Sequence, residues 1–158
     1  MTEKRRKRRD EMPFEGGPYV QAACICEMVL MEGTGVASLI RIIDTLEHIQ
    51  ASPNPPEDMP PVPYNMKFVL MLKSGKARGR HDVRVVPQLP TGETKGELVR
   101  TVHFEGEERG CNLITNMAFV FEHEGLYWFN VWLDDEKLTA IPFRVKYNRV
   151  VTSVAAQR

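Results

Sequence analysis

Near its end the chain alternates between apolar and polar side chains with the period of a β-strand. After Gly125 the sequence reads Leu-Tyr-Trp-Phe-Asn-Val-Trp-Leu, turns through the polar residues 134–137, and returns as Leu-Thr-Ala-Ile-Pro-Phe-Arg-Val. Aromatic and β-branched residues fit a pleated, half-buried surface. The pattern predicts an antiparallel hairpin whose core-facing side chains on the first strand are Tyr127, Phe129, Val131 and Leu133.

Further apolar segments separated by turn residues predict more strands and no helical crossovers. Residues 36–49 fit helical spacing as well as alternation, and the short turn that precedes them favours a strand. The first segment is apolar on both faces, which predicts burial over most of its length. With the closing hairpin, about eight strands result, so the sequence predicts an all-β fold, an antiparallel β-sandwich. The other predicted strands span residues 19–31, 36–49, 65–73, 81–88, 98–104 and 111–122.

Charge is distributed unevenly along the 158 residues, although the net charge is zero. The first ten residues carry six basic and two acidic side chains, whereas the other 148 carry 15 basic and 19 acidic ones. We therefore expect residues 1–17 to form a disordered basic tail, 18–147 the sandwich domain and 148–158 a C-terminal tail. No apolar run could span a bilayer and no signal peptide is recognisable, so we expect no membrane association.

Two segments resemble a known family. They are Cys24-Ile25-Cys26-Glu27 with residues 38–43, and Gly125-x-Tyr127-x-Phe129-x-Val131 with residues 141–145. The chain resembles, over residues 18–146, a family of small bacterial β-sandwich proteins without an assigned function. The resemblance implies the fold, supports a strand at 36–49 and supplies no catalytic residue. The closing strands also resemble the last hairpin of immunoglobulin-like domains.

The residues that usually carry chemistry lack the spacings that chemistry requires. Cys24, Cys26 and Cys111 are an odd number in apolar surroundings, which predicts unreactive free thiols in a reducing cytoplasm. There is no nucleophile elbow and no phosphate-binding loop. We therefore expect no cofactor and no metal, and an enzyme with an unrecognised site is only an alternative. The histidines, none of which has metal-ligand spacing, are His48, His81, His103 and His123.

Protein interaction is the function that the closing hairpin favours. If its odd-numbered residues fill the core, both tryptophans lie on the outer face of the sheet. Large outward aromatics are enriched at protein interfaces. The proline-rich connection at 52–63 could instead fold over them. We predict a noncatalytic module that binds another protein or itself through Trp128, Asn130, Trp132, Ala140 and Pro142.

A polyanion such as nucleic acid is the alternative partner. Basic side chains neutralise phosphates and release counterions without reading sequence. The basic tail and a basic turn at 73–84 would form one phosphate-binding face if they lay on the same side of the domain. The residues of this alternative site are Arg5, Arg6, Lys7, Arg8, Arg9, Lys73, Lys76, Arg78 and Arg80.

Overall fold

The computed structural model describes residues 14–153, and within this range every regular element is a β-strand. The expected all-β sandwich is confirmed, with nine strands instead of about eight. The strands are β1 (Tyr19–Met31), β2 (Ala37–Ile43), β3 (Thr45–Ser52), β4 (Val62–Gly75), β5 (Gly79–Gln88), β6 (Leu98–Phe104), β7 (Glu107–Phe121), β8 (Gly125–Leu133) and β9 (Glu136–Val151).

The strands form two sheets, which we call the first sheet, β2-β1-β4-β7, and the second sheet, β3-β9-β8-β5-β6. Pairing is antiparallel except between β3 and β9, which run parallel. The extra strand arises because residues 36–49 do not form one strand. The chain breaks at Asp44 and crosses from the edge of one sheet to the edge of the other, where the Arg144 amide donates to the Asp44 carbonyl at 2.7 Å.

Side-chain alternation along β8 and β9 fills the space between the sheets. Tyr127, Phe129, Val131 and Leu133 are all buried, which confirms the predicted inward face of the hairpin. Edge-to-face and stacked aromatic pairs stabilise the fold beyond what the buried area of the rings contributes. An aromatic cluster with ring centroids 4.9 to 6.2 Å apart joins the two sheets and contains Phe119, Phe121, Tyr127, Phe129 and Phe143.

Both expected domain boundaries need adjustment. β9 continues to Val151 because β3 pairs with it as far as Ser52, so residues 148–151 belong to the sheet and not to a C-terminal tail. At the other terminus, residues 1–13 of the expected tail lie outside the described residues. The Gly16 carbonyl accepts a hydrogen bond from the Lys76 amide at 2.9 Å, which holds residues 14–17 against the β4–β5 turn.

The connections between strands lie at two opposite ends of the sandwich. The β4–β5, β6–β7 and β8–β9 turns lie at one end, which we call the N-terminal end because β1 also begins there. The opposite end carries the β1–β2 turn, the proline-rich loop at 53–61, the loop at 89–97 and the turn at 122–124. Any site built from turns is therefore confined to one of these two ends.

Candidate interaction surfaces

The five residues of the predicted interaction surface share the outer face of the second sheet, which we call the tryptophan face. Pairing places Trp128 beside Pro142, Asn130 beside Ala140, and Trp132 beyond a β-bulge. Trp128 is 37% exposed and Pro142 is exposed, whereas Trp132 and Ala140 are half-buried. Asn130 is only 9% exposed, and its amide nitrogen lies 3.3 Å from Gln88 Oε1.

The proline-rich loop packs elsewhere and leaves Trp128 exposed. Met59 enters the core, Pro55 is buried, and the hydroxyl of Tyr147 donates to the Pro56 carbonyl at 2.8 Å. These contacts hold the loop against the ends of the strands, at the side of the sandwich where β4 begins. The surroundings of Trp128 that the pairing defines are Gln88 on β5 and Pro142 on β9.

A second apolar surface lies on the β1–β2 hairpin, where the sequence predicted a buried strand. Only Ile25 and Cys26 of β1 are fully buried, so the expectation of burial over most of its length is wrong. The reason is that no further sheet of the described residues packs on the outer face of the first sheet, so side chains there are covered only by their neighbours on that face. We call the exposed group the β1–β2 patch, and it consists of Met28 (50% exposed), Leu30 (49%), Ile40 (37%) and Ile42 (61%).

The geometry of the patch follows from the strand register. Met28 pairs with Ile40, Cys26 with Ile42, and Leu30 with Ser38. Residues paired directly in antiparallel strands share a face, and so do residues two apart on one strand. The Met28–Ile40 pair therefore forms the centre of the patch, with Leu30 and Ile42 on either side.

The outer edge of β2 is interrupted by an unusual backbone conformation. Arg41 has a φ of 53°, in the left-handed region that residues with a side chain rarely adopt. Its side chain forms an ion pair with Glu27 across the hairpin at 3.2 Å. A charged residue and an irregular backbone are two ways in which edge strands avoid pairing with other chains.

The three cysteines are free, as the sequence predicts. Cys26 lies on the outer face of the first sheet beneath the patch, and its thiol is 3.5 Å from the Met28 carbonyl. Burial raises the pKa of Cys26, and burial together with the neighbouring Cys26 raises the pKa of Cys24. A raised pKa lowers the fraction of reactive thiolate, which agrees with unreactive thiols.

The basic turn lies at the N-terminal end, beside the point where residues 14–17 meet the domain. Arg78 donates to the carbonyls of Gly75 and Ala77 and packs against Gly106, while Arg80 is exposed. Acidic side chains of the β6–β7 and β8–β9 connections lie at the same end, so the charge there is mixed. The five arginine and lysine positions of the alternative site within residues 5–9 lie outside the described residues. The acidic neighbours are Glu105, Glu107, Glu108, Asp134, Asp135 and Glu136.

A histidine–aspartate pair lies in a cleft of about 730 Å³ at this end. His81 Nδ1 lies 2.7 Å from Asp134 Oδ2, and Nε2 lies 3.0 Å from the Arg78 carbonyl. Since both partners are acceptors, the imidazolium form satisfies both nitrogens and neither is free to accept a proton. Hydrogen bonds to Asp134 and Arg78 raise the pKa of His81, and its bond to Asp134 lowers the pKa of that carboxyl group.

This pair should make the stability of the domain depend on pH. Because the pKa of His81 is raised above its ordinary 6.5, its contribution is complete below 6.5 and is lost as pH rises through the raised pKa. His81→Gln should therefore destabilise the protein more at about pH 5.5 than at about pH 8.5. Urea unfolding at both pH values measures this, with exposed His103→Gln as the control. An equal loss at both pH values would contradict the prediction.

The remaining histidines do not converge on a metal site. His103 lies near the end of β6 at the N-terminal end, whereas His123 lies in the turn before β8 at the opposite end. Across residues 14–153, no group of three or more histidine, cysteine, aspartate or glutamate side chains could hold a metal ion. His48 stacks against Tyr147, with ring centroids 5.9 Å apart.

Residues 14–153 contain no helix long and apolar enough to cross a membrane.

Comparison with known proteins places the fold in a family without an assigned activity. Residues 21–146 match a family described as a family of unknown function, DUF6941. The chain belongs to this family. The membership expected from the sequence, in an uncharacterised family, is thus confirmed. No curated protein matches this chain.

Among solved structures, the chain is similar to a crystal structure of an immunoglobulin-like protein from Pseudomonas aeruginosa. The similarity covers 83% of this DUF6941 chain and 98% of the other chain, at 13% sequence identity and a TM-score of 0.36.

Within the DUF6941 domain, the sequence pattern indicated the exposure of Trp128 and missed that of the β1–β2 patch. Trp128 and Trp132 stand out because two tryptophans alternate with core residues. The β1–β2 patch gave no such signal, because Met28, Leu30, Ile40 and other apolar residues on both faces of a strand equally indicate burial between layers. The His81–Asp134 pair joins residues 53 positions apart and has no local motif.

Proposed function

We propose that this DUF6941 protein is a noncatalytic protein-interaction domain that binds a protein partner through the tryptophan face. The observation that carries the proposal is the exposure of Trp128 on the outer face of the second sheet, next to exposed Pro142. Tryptophan is among the residues that contribute most to binding at protein interfaces, where it acts as an anchor inside a polar rim.

The surroundings of Trp128 have the mixed composition of a partner-binding surface. Asn130 and Gln88 are hydrogen-bonded to each other beside Trp128 on the same face. Arg84 pairs with Trp132 across the strands, and Arg144 is exposed on β9. Non-obligate interfaces combine an aromatic centre with polar and charged groups at the rim. We therefore favour a separate partner protein over self-association for this face.

Trp128→Ala should weaken binding of the partner while leaving the domain folded. A binding anchor contributes at least about 2 kcal/mol, so affinity should fall about 30-fold or more. Tagged wild-type and variant proteins are used to recover partners from native cells, and the affinity for the recovered protein is then titrated. Val120→Ala, which shortens another exposed apolar side chain on the first sheet, is the control. Equal affinity for Trp128→Ala and the wild type would contradict the proposal.

A further inference from the structure

We infer that the β1–β2 patch is a self-association surface, packing face to face against the same patch of a second copy with Ile40 near the two-fold axis. This surface lies on the first sheet, on the opposite side of the sandwich from the tryptophan face. The two sites are therefore independent, and the self-association does not rest on the proposed function.

The composition of the patch is that of an interface between identical chains. Met28, Leu30, Ile40 and Ile42 are large, apolar and 37–61% exposed. Val36, 56% exposed just before β2, adds an apolar side chain at the turn end of the hairpin. Homodimer interfaces are more apolar than interfaces with transient partners, and contiguous apolar patches of this kind are uncommon on monomers.

Charge also favours a second copy as the occupant. In a two-fold contact, residues near the axis face their own copies, so any charge there meets a like charge. The centre of the patch has none, because the Glu27–Arg41 ion pair lies on the other face of the hairpin. The ion beside the patch on its own face is Lys67, which pairs with Cys26 and donates to the side chain of Asn116. The whole chain has a net charge of zero, so two copies approach without long-range repulsion.

The edge of β2 favours packing on the face over addition of a strand. An added strand needs a regular row of backbone donors and acceptors along that edge. The left-handed backbone of Arg41 interrupts this row in the middle of β2. The face beside it has no such obstacle, since Met28 and Ile40 pair directly and present their side chains together.

The hairpin also lacks support from its own domain. β1 pairs with β2 up to Met31, but its pairing with β4 ends at Cys26. Residues 28–31 therefore have a neighbouring strand on one side only. A two-stranded ribbon is marginally stable in water, and packing another layer against its apolar face stabilises it.

The mass of the full-length protein in solution tests the inference. By light scattering after size-exclusion chromatography, the wild type should run at twice its 18.1 kDa. Ile42→Asp should run at the single-chain mass, because burying a carboxylate in the interface is costly. Ile49→Asp is the matched control, since Ile49 is 58% exposed on β3 and Ile42 is 61% exposed on β2. Circular dichroism confirms that both variants fold.

Charge reversal at Ile40 separates a second copy from any other occupant. Ile40→Asp and Ile40→Lys should each give the single-chain mass, and an equal mixture of the two should return to twice that mass. A wild type that stays at 18.1 kDa at high micromolar concentration would overturn the inference. So would a dimer that Ile42→Asp leaves intact, or a mixture of the two Ile40 variants that remains at the single-chain mass.

Discussion

Replacing Phe129 by alanine should lower the free energy of unfolding by about 3–5 kcal/mol, the range for deleting a fully buried aromatic ring. Phe129 has no exposed surface and lies in the middle of β8. Its ring centroid is 5.6 Å from that of Phe119 on the first sheet and 6.2 Å from that of Phe143 on β9. The variant therefore loses contacts between the sheets as well as within one of them, and leaves a cavity between them.

The adjacent residue supplies the control for this experiment. Trp128→Ala removes a larger ring from the same strand, but from its solvent-facing side. In urea unfolding, Phe129→Ala should lower the free energy of unfolding more than Trp128→Ala does, although phenylalanine is the smaller side chain. A loss below about 1 kcal/mol for Phe129→Ala, typical of surface substitutions, would mean that the two faces of β8 are assigned the wrong way round.

The two faces of β8 could be predicted from the sequence because one face of its sheet packs against the core and the other faces solvent. Tyr127, Phe129 and Val131 recur with the period of two that such a sheet imposes. The break at Asp44 could not be predicted in the same way. Residues 37–43 and 45–52 both alternate, and no local pattern states that they join different sheets.

Candidate surfaces depend on what packs against them, which alternation does not encode. Met28 and Ile40 differ from buried residues only because no other layer of the described chain covers them. Asn130 was expected to contribute to a surface, yet Gln88 from β5 bonds to it and it is almost fully buried. The sequence could therefore predict which residues share a face, but the neighbouring strands determine how much of each is available to a partner.

Tyr127→Phe should cost about 1–3 kcal/mol although it removes a single oxygen atom, since it leaves the partly buried amide and carbonyl of His123 without their partner. The hydroxyl of Tyr127 donates to the His123 carbonyl at 2.9 Å and accepts from the His123 amide at 3.1 Å. Residues 122–124 carry the chain from β7 in the first sheet to β8 in the second. The buried hydroxyl therefore fixes a connection between the two sheets, and its loss frees both backbone groups at once.

Tyr64→Phe is the control, because Tyr64 also packs against the core but its hydroxyl has no hydrogen-bond partner among residues 14–153. Its removal should leave the free energy of unfolding nearly unchanged. Hydrogen exchange adds a local measurement: the His123 amide should exchange faster in Tyr127→Phe and at the wild-type rate in Tyr64→Phe. Equal losses of unfolding free energy in the two variants would show that the hydrogen bonds of the Tyr127 hydroxyl add no stability, and would contradict the prediction. A loss confined to Tyr127→Phe together with faster exchange at His123 would assign the stabilisation to the connection between the sheets.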